Sequence, residues 1–274
     1  MNWRSIWTIA RKDLKEVQQN KAAWGPALAL PLIFAVAMPI LFSVVPRFIP
    51  ADEVQRQLGD VEMLMKNLPP NIRAIFDGLE LEQMFVIYMT SFLLAPLFLV
   101  MPLMFSTVVG ADSFVGERER KTMEALLYSP ATDVELFLGK VLASVIPAIG
   151  LSWLTYFVYI IVVNAASYQL FERIWFPLPT WWPLMFWLTP AFAVLGISAT
   201  VLISSRVKTF MEAYQLSGSL VVLVLALVVG QLSGILFLGV VTVMLIGTLI
   251  WIVDAVLIYY SIRKFKRSLL VSNL

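Results

Sequence analysis

Asp254 stands alone in the run Trp251-Ile252-Val253-Asp254-Ala255, an ionisable side chain inside a long apolar stretch. A carboxylate at that depth is costly in a bilayer; such groups hold protons or cations, or bond a neighbouring Ser, Thr or Arg. Arg263 follows nine residues later, which sets Asp254 near a span end and favours the hydrogen-bonded reading. Charge is concentrated a second time in Glu117-Arg118-Glu119-Arg120-Lys121, with Glu124 close behind. Glu117 with Lys121, and Arg120 with Glu124, have the i,i+4 spacing of helical ion pairs. Met123, Leu126 and Leu127 add a small apolar face, and Pro130 ends the pattern. Thr132-Asp133-Val134-Glu135 then has the spacing of a capping box. A short amphipathic helix follows from this, either a solvated turn helix or a docking helix through which a soluble partner exerts force.

Other chemistries are excluded by composition. The chain has no Cys and no His, so thiolate nucleophiles, Cys-ligated metals, His-ligated zinc or haem, and Ser-His-Asp hydrolysis all fall away. The only Gly-Lys pair, Gly139-Lys140, is followed by Val141, and Val134 occupies the position of the first glycine of a phosphate-binding loop. ATP hydrolysis by that route is closed to this chain. A net charge of +2 gives no argument for nucleic acid.

The elements that must carry these residues are membrane spans. Of 274 residues 60% are hydrophobic and 14% charged, against about 45–50% and about 25% in soluble domains. A span needs about 20 apolar residues. Six such stretches occur, at 24–45, 85–109, 137–163, 183–203, 216–230 and 235–260, the last two divided by Gly230-Gln231-Leu232-Ser233-Gly234. Prolines 26, 31, 39, 96, 102 and 147 fall inside spans and predict kinks. Alternate connecting segments hold fifteen and five basic residues, which predicts both termini on the cytoplasmic side. Residues 1–23 repeat Trp3, Ile6, Trp7, Ala10, Leu14 and Val17 at helical spacing among Arg and Lys. This fits a helix lying in the membrane interface, or one packed on other protein. Residues 46–84 read as a small outer helical cap, with Ile72, Ile75, Phe76 and Leu79 as a second short helix. Trp175, Trp181 and Trp182 read as aromatic-belt anchors.

The run from Ser113 to Leu127, followed by Ser129-Pro130, Glu135-Leu136 and Gly139-Lys140, closely resembles the membrane subunits of ABC transporters of the ABC type-2 family. Arg11-Lys12-Asp13-Leu14, the segment Ser204–Gly218 and Gln231-Leu232-Ser233-Gly234 support the resemblance, which covers essentially the whole chain. It implies an all-α integral membrane protein of the ABC type-2 exporter permease fold, one domain of six transmembrane helices. It also implies an N-terminal interfacial elbow helix and a cytoplasmic coupling helix at 112–130. The implied partners are an ABC ATPase in two copies, a second permease copy or a related permease, and membrane lipids. No cofactor is implied in this chain, Mg-ATP being bound by the ATPase, and no metal or catalytic residue. The implied location is a prokaryotic plasma membrane. Carried over position by position, ATPase coupling falls on Gly116, Glu117, Arg118, Glu119, Arg120, Lys121, Met123, Glu124, Leu127, Arg206 and Glu212. The substrate pathway falls on Phe85, Tyr88, Met89 and Phe92 of the second span and Ser217, Ser219 and Leu223 of the fifth. The alternative is an ion- or proton-coupled secondary transporter that uses Asp254, although no repeat links the two halves. An intramembrane enzyme is disfavoured by the nearly acid-free spans.

Overall fold

The computed structural model describes residues 2–19, 29–48, 73–120 and 131–264. Among them the structure is helical and has no strand. Helix α1 is Trp3–Gln19 and α2 is Ala29–Val44. Five further helices are long and apolar enough to cross a membrane: α3 (Leu81–Glu119), α4 (Asp133–Phe171), α5 (Trp181–Ser204), α6 (Phe210–Leu232) and α7 (Val240–Lys264). Expectations for residues 24–28, most of the 46–84 cap and 121–130 lie outside the described residues.

Local chemistry sets the helix ends. The Thr132 hydroxyl accepts from the Glu135 N–H at 3.3 Å, and the Glu135 carboxylate accepts from the Thr132 N–H at 3.0 Å. This capping box starts α4, which runs 39 residues to Phe171. At about 1.5 Å per residue that exceeds a hydrocarbon layer of about 30 Å, so α4 extends beyond it. The span expected at 137–163 therefore continues eight residues further, to Phe171, and Glu172 then turns left-handed. In the cap region residues 74–78 form turns rather than a helix, closed by Gly78 at φ +76°. Helix α6 opens six residues before the expected span, because the Thr209 hydroxyl accepts from the Glu212 N–H and so satisfies its first turn. The link between α6 and α7 folds back on Gly234, φ +73°, with the Leu236 N–H donating to the Gly230 carbonyl at 2.9 Å.

Helix α3 departs most from the expected 85–109. It continues to Glu119, so residues 112–119 form its end and not the start of a separate helix. It is also irregular. Wide π turns occur at Tyr88–Leu93 and Asp112–Gly116, and a tight turn at Phe98–Leu99 lies between Pro96 and Pro102. Pro102 has no N–H for the Phe98 carbonyl, which accepts instead from Met101 at 3.3 Å.

Helices α3 and α5 form the buried centre, whereas α6 and α7 show broad apolar faces. The α3–α5 contact is set by glycine. A Cβ on Gly196 would stand 2.2 Å from Ser106 Oγ and 3.0 Å from the Leu103 carbonyl; one on Gly110 would stand 2.5 Å from Ile197. Small residues here let the backbones meet. Gly196→Ala is expected to destabilise by about 1–3 kcal/mol through overpacking, read as a lower unfolding midpoint in detergent.

At one end of the bundle the core is aromatic. Trp181 is fully buried, its ring 5.2 Å from Tyr159, 5.9 Å from Tyr156, 5.1 Å from Phe98 and 5.0 Å from Phe176. It is a core residue and not a belt anchor, because the α4–α5 connection folds it inward. Trp175 is half-buried and donates to Ser167 Oγ at 2.9 Å, which leaves Trp182 as the largely exposed one of the three. The opposite end of the bundle carries charge.

Candidate functional site

The charged end is built where α1, α3 and α4 meet. On α1, Ile6, Ala10 and Asp13 face inward, while Trp3 and Trp7 are exposed; the buried edge is offset from the expected apolar stripe. Gly139 of α4 receives this edge. A Cβ there would lie 2.7 Å from Ile9 and 3.1 Å from the Ile6 carbonyl, so the glycine permits backbone-level contact. The α1 end is tied again where the Asn2 N–H donates to the Glu135 carboxylate.

Lys140 follows Gly139 and is fully buried. Its Nζ donates to Glu117 Oε2 at 2.5 Å and to the Ser113 carbonyl at 2.8 Å, and lies 3.4 Å from Asp13 Oδ2. The Phe114 ring centroid is 5.6 Å away. The π turn of α3 contributes: the Glu117 N–H bonds the Asp112 carbonyl, and that of Ser113 accepts from Lys140. Lys12 completes the group. Its Nζ lies 3.0 Å from Glu117 Oε1, 3.0 Å from Glu16 and 3.4 Å from Asp13 Oδ1. Each Glu117 oxygen thus takes one ammonium. Burial pushes the Asp13 carboxyl above the usual aspartate range, reinforced by Glu117 and opposed by Lys140 and Lys12. Burial works to lower Lys12, but the charges of Glu117 and Asp13 outweigh it and hold the ammonium above its ordinary value.

Asp13, Glu16 and Glu117 bring carboxylate oxygens within 4.8 Å of one another, a spacing that could hold a cation. Lys12 touches all three, so an ammonium stands where a metal ion would.

The next two residues grip other elements. Arg118 donates to the carbonyl oxygens of Ser204, at 3.2 Å, and Val207. Glu119 accepts from the Phe210 N–H at 2.8 Å, a carboxylate placed on the N-terminus of α6. Beneath them Ala111, Val115, Val207 and Ala213 pack together. Three consecutive side chains, Glu117, Arg118 and Glu119, therefore reach α1 and α4, the end of α5, and the start of α6. Arg120 pairs with Asp112 at 2.8 Å, and this bridge lies over Gly116, where a Cβ would stand 2.7 Å from Asp112.

Glu117, expected as a surface contact, is 2% exposed and turned into the ion-pair cluster. Arg120, Arg206 and Glu212 are exposed, although the Glu212 carboxylate accepts from the Lys208 N–H at 3.0 Å. Lys121, Met123, Glu124 and Leu127 lie outside the described residues. The residues that sequence reasoning missed as a site are Lys12, Asp13 and Lys140. They stand in the quoted segments Arg11-Lys12-Asp13-Leu14 and Gly139-Lys140, which the fold brings together.

The pathway candidates do not converge. Phe85, Tyr88, Met89 and Phe92 pack at the aromatic end with Phe76, Val86 and Phe171. The segment of α6 that holds Ser217 packs toward the other end of α3. Ser217 is buried, and its hydroxyl has no partner among the described residues; Ser219 and Leu223 are exposed. Gln231, buried near the end of α6, likewise has an unpartnered amide. Asp254 faces inward on α7 at 1% exposed, and neither oxygen accepts a hydrogen bond among the described residues, contrary to the Ser, Thr or Arg partner expected.

A search of curated proteins gave no match. The model of a protein family described as "ABC-2 family transporter protein" matches residues 7–245. That match takes in most of α1, the charged end, α2 to α6 and the first residues of α7, and with it this chain belongs to the ABC-2 family of transporters as a membrane-spanning permease.

Proposed function

We propose that the chain is the permease subunit of an ATP-driven exporter, working as a dimer with a separate ABC ATPase bound at its charged end. In this reading α2 belongs to the first of six spans, and α1 is the elbow helix in the membrane interface. The charged end faces the cytoplasm, as the distribution of basic residues predicts. The segment after Arg120 carries the coupling helix, and exposed Arg206 and Glu212 offer a second contact. The substrate pathway runs between copies, along α3 and α6. ATP hydrolysis belongs to the partner, which fits the lack of a phosphate-binding loop here. The observation that carries the reading is the triplet Glu117-Arg118-Glu119. Its bonds join the segment on the partner side to four helices, as force transmission requires.

The test is purification of the tagged chain from its native membranes in mild detergent. An ABC ATPase should accompany it in stoichiometric amount, and Arg120→Glu with Arg206→Glu should release it. A chain that comes alone and moves substrate in ATP-free vesicles overturns the reading.

Asp254 separates this reading from an ion-coupled one. Asp254→Asn is expected to leave ATP-driven transport within about twofold of the parent, because the carboxyl carries no coupling ion here. Loss of transport with ATPase activity intact would place the energy source at Asp254.

A further inference from the structure

The pairings of Glu117 do more than fill space. Lys140 Nζ is shared among Glu117, the Ser113 carbonyl and Asp13, so it bridges α4 to α3 and to α1 at once. Gly139 removes slack on the α1 side, since Ile9 and the Ile6 carbonyl meet α4 with no room for a methyl group. Buried ion pairs of this kind often add no more stability than apolar residues of equal volume. What they add is a fixed register, because an ammonium with three acceptors on two helices has few alternative arrangements. Glu117 is also the first of the three residues that grip the neighbouring helices, four positions before the start of the segment proposed to receive the ATPase.

We propose that Asp13, Glu117 and Lys140 form a buried latch that makes α1 and the Thr132 end of α4 follow α3 as one body. The three are positioning residues for ATP-coupled transport. This rests on the ATPase-coupled reading above. Lys12 reinforces the latch from the surface, and Glu16 holds Lys12. Without the latch, motion delivered to the end of α3 would slide past α1 and α4.

Two measurements on the ATPase complex in lipid vesicles test this. The neutral variant Asp13→Asn with Glu117→Gln and Lys140→Met removes the ion pairs and leaves no unmatched charge among those three positions. It should still bind the ATPase and hydrolyse ATP, while transport per ATP falls about tenfold, within the usual span of coupling between sites. A variant with normal transport per ATP overturns the latch and leaves the permease reading standing. A parent complex without ATPase or ATP-dependent transport overturns both. The second measurement does not depend on the variant's folding. The chain has no cysteine, so spin labels at Thr8→Cys on α1 and Val134→Cys on α4 report one distance on a clean background. Both positions are exposed. The distance should stay the same in the nucleotide-free and vanadate-trapped states. A shift between those states means that α1 and α4 move separately, and the proposal fails.

Discussion

Lys140→Ala is expected to destabilise the protein by about 3–5 kcal/mol, the cost of removing one partner from a buried charge group. The substitution leaves Glu117 and Asp13, each 2% exposed, with Lys12 as the one remaining ammonium among the described residues. The Ser113 carbonyl loses its donor as well. The damage should be local at first. Amides of α1 should exchange faster, because α1 is held at this point by Gly139 packing and the cluster. The mechanism also predicts non-additivity. If the penalty is uncompensated charge, adding Glu117→Gln and Asp13→Asn to Lys140→Ala should restore about half of the loss or more. A combined variant that loses the sum of its parts would show that the lysine acts through packing alone. The readout is the unfolding midpoint in detergent, compared across single and combined variants.

What the sequence made legible follows from the range of each signal. Spans were visible because about 20 apolar residues in a row suffice to define one. The start of α4 was visible because Thr132 and Glu135 are three residues apart and act only on each other. The start of α6 carries a similar signal in Thr209 and Glu212, again three residues apart. The charged site was not visible in the same way. Lys140 pairs with Asp13 across 127 positions and with Glu117 across 23, and no local pattern predicts such contacts. Helical spacing pairs Glu117 with Lys121, which lies outside the described residues, and gives no sign of the ammonium that reaches Glu117 from α4.

The π turns were equally hidden, and they recur where helices are joined. In the first π turn of α3, the carbonyls of Thr90 and Ser91 accept from Tyr159 at 2.6 Å and Trp181 at 3.0 Å. In the second, Ser113 accepts from Lys140. In the π turn of α5, Leu184–Leu188, Met185 accepts from Trp153 at 2.9 Å and Trp187 from Trp251 at 3.3 Å. Each of these three wide turns displaces the regular backbone ladder and meets a donor from a neighbouring helix. In a span this matters because an unsatisfied carbonyl costs several kcal/mol in hydrocarbon. The donors are Tyr, Trp and Lys, whose lengths suit a reach between helices.

Trp181 is where this principle has its largest expected effect away from the charged end. Trp181→Ala should lower stability by about 3–5 kcal/mol, since it empties a fully buried site lined by Tyr156, Tyr159, Phe98 and Phe176. Trp181→Phe divides that loss into its parts. The phenyl ring keeps most of the stacking but has no N–H for the Ser91 carbonyl. Leaving that acceptor unmet should cost about 1–3 kcal/mol. The Phe variant should therefore fall between the parent and the Ala variant in unfolding midpoint. If the Phe variant equals the parent, the indole bond contributes nothing and the first π turn of α3 is held by packing and Tyr159 alone. If Trp181→Ala is also silent, the residue does not lie in the core, and the aromatic belt at the membrane surface becomes its place. The two substitutions thus distinguish a tryptophan that joins α3, α4 and α5 from one that only anchors a helix end in lipid.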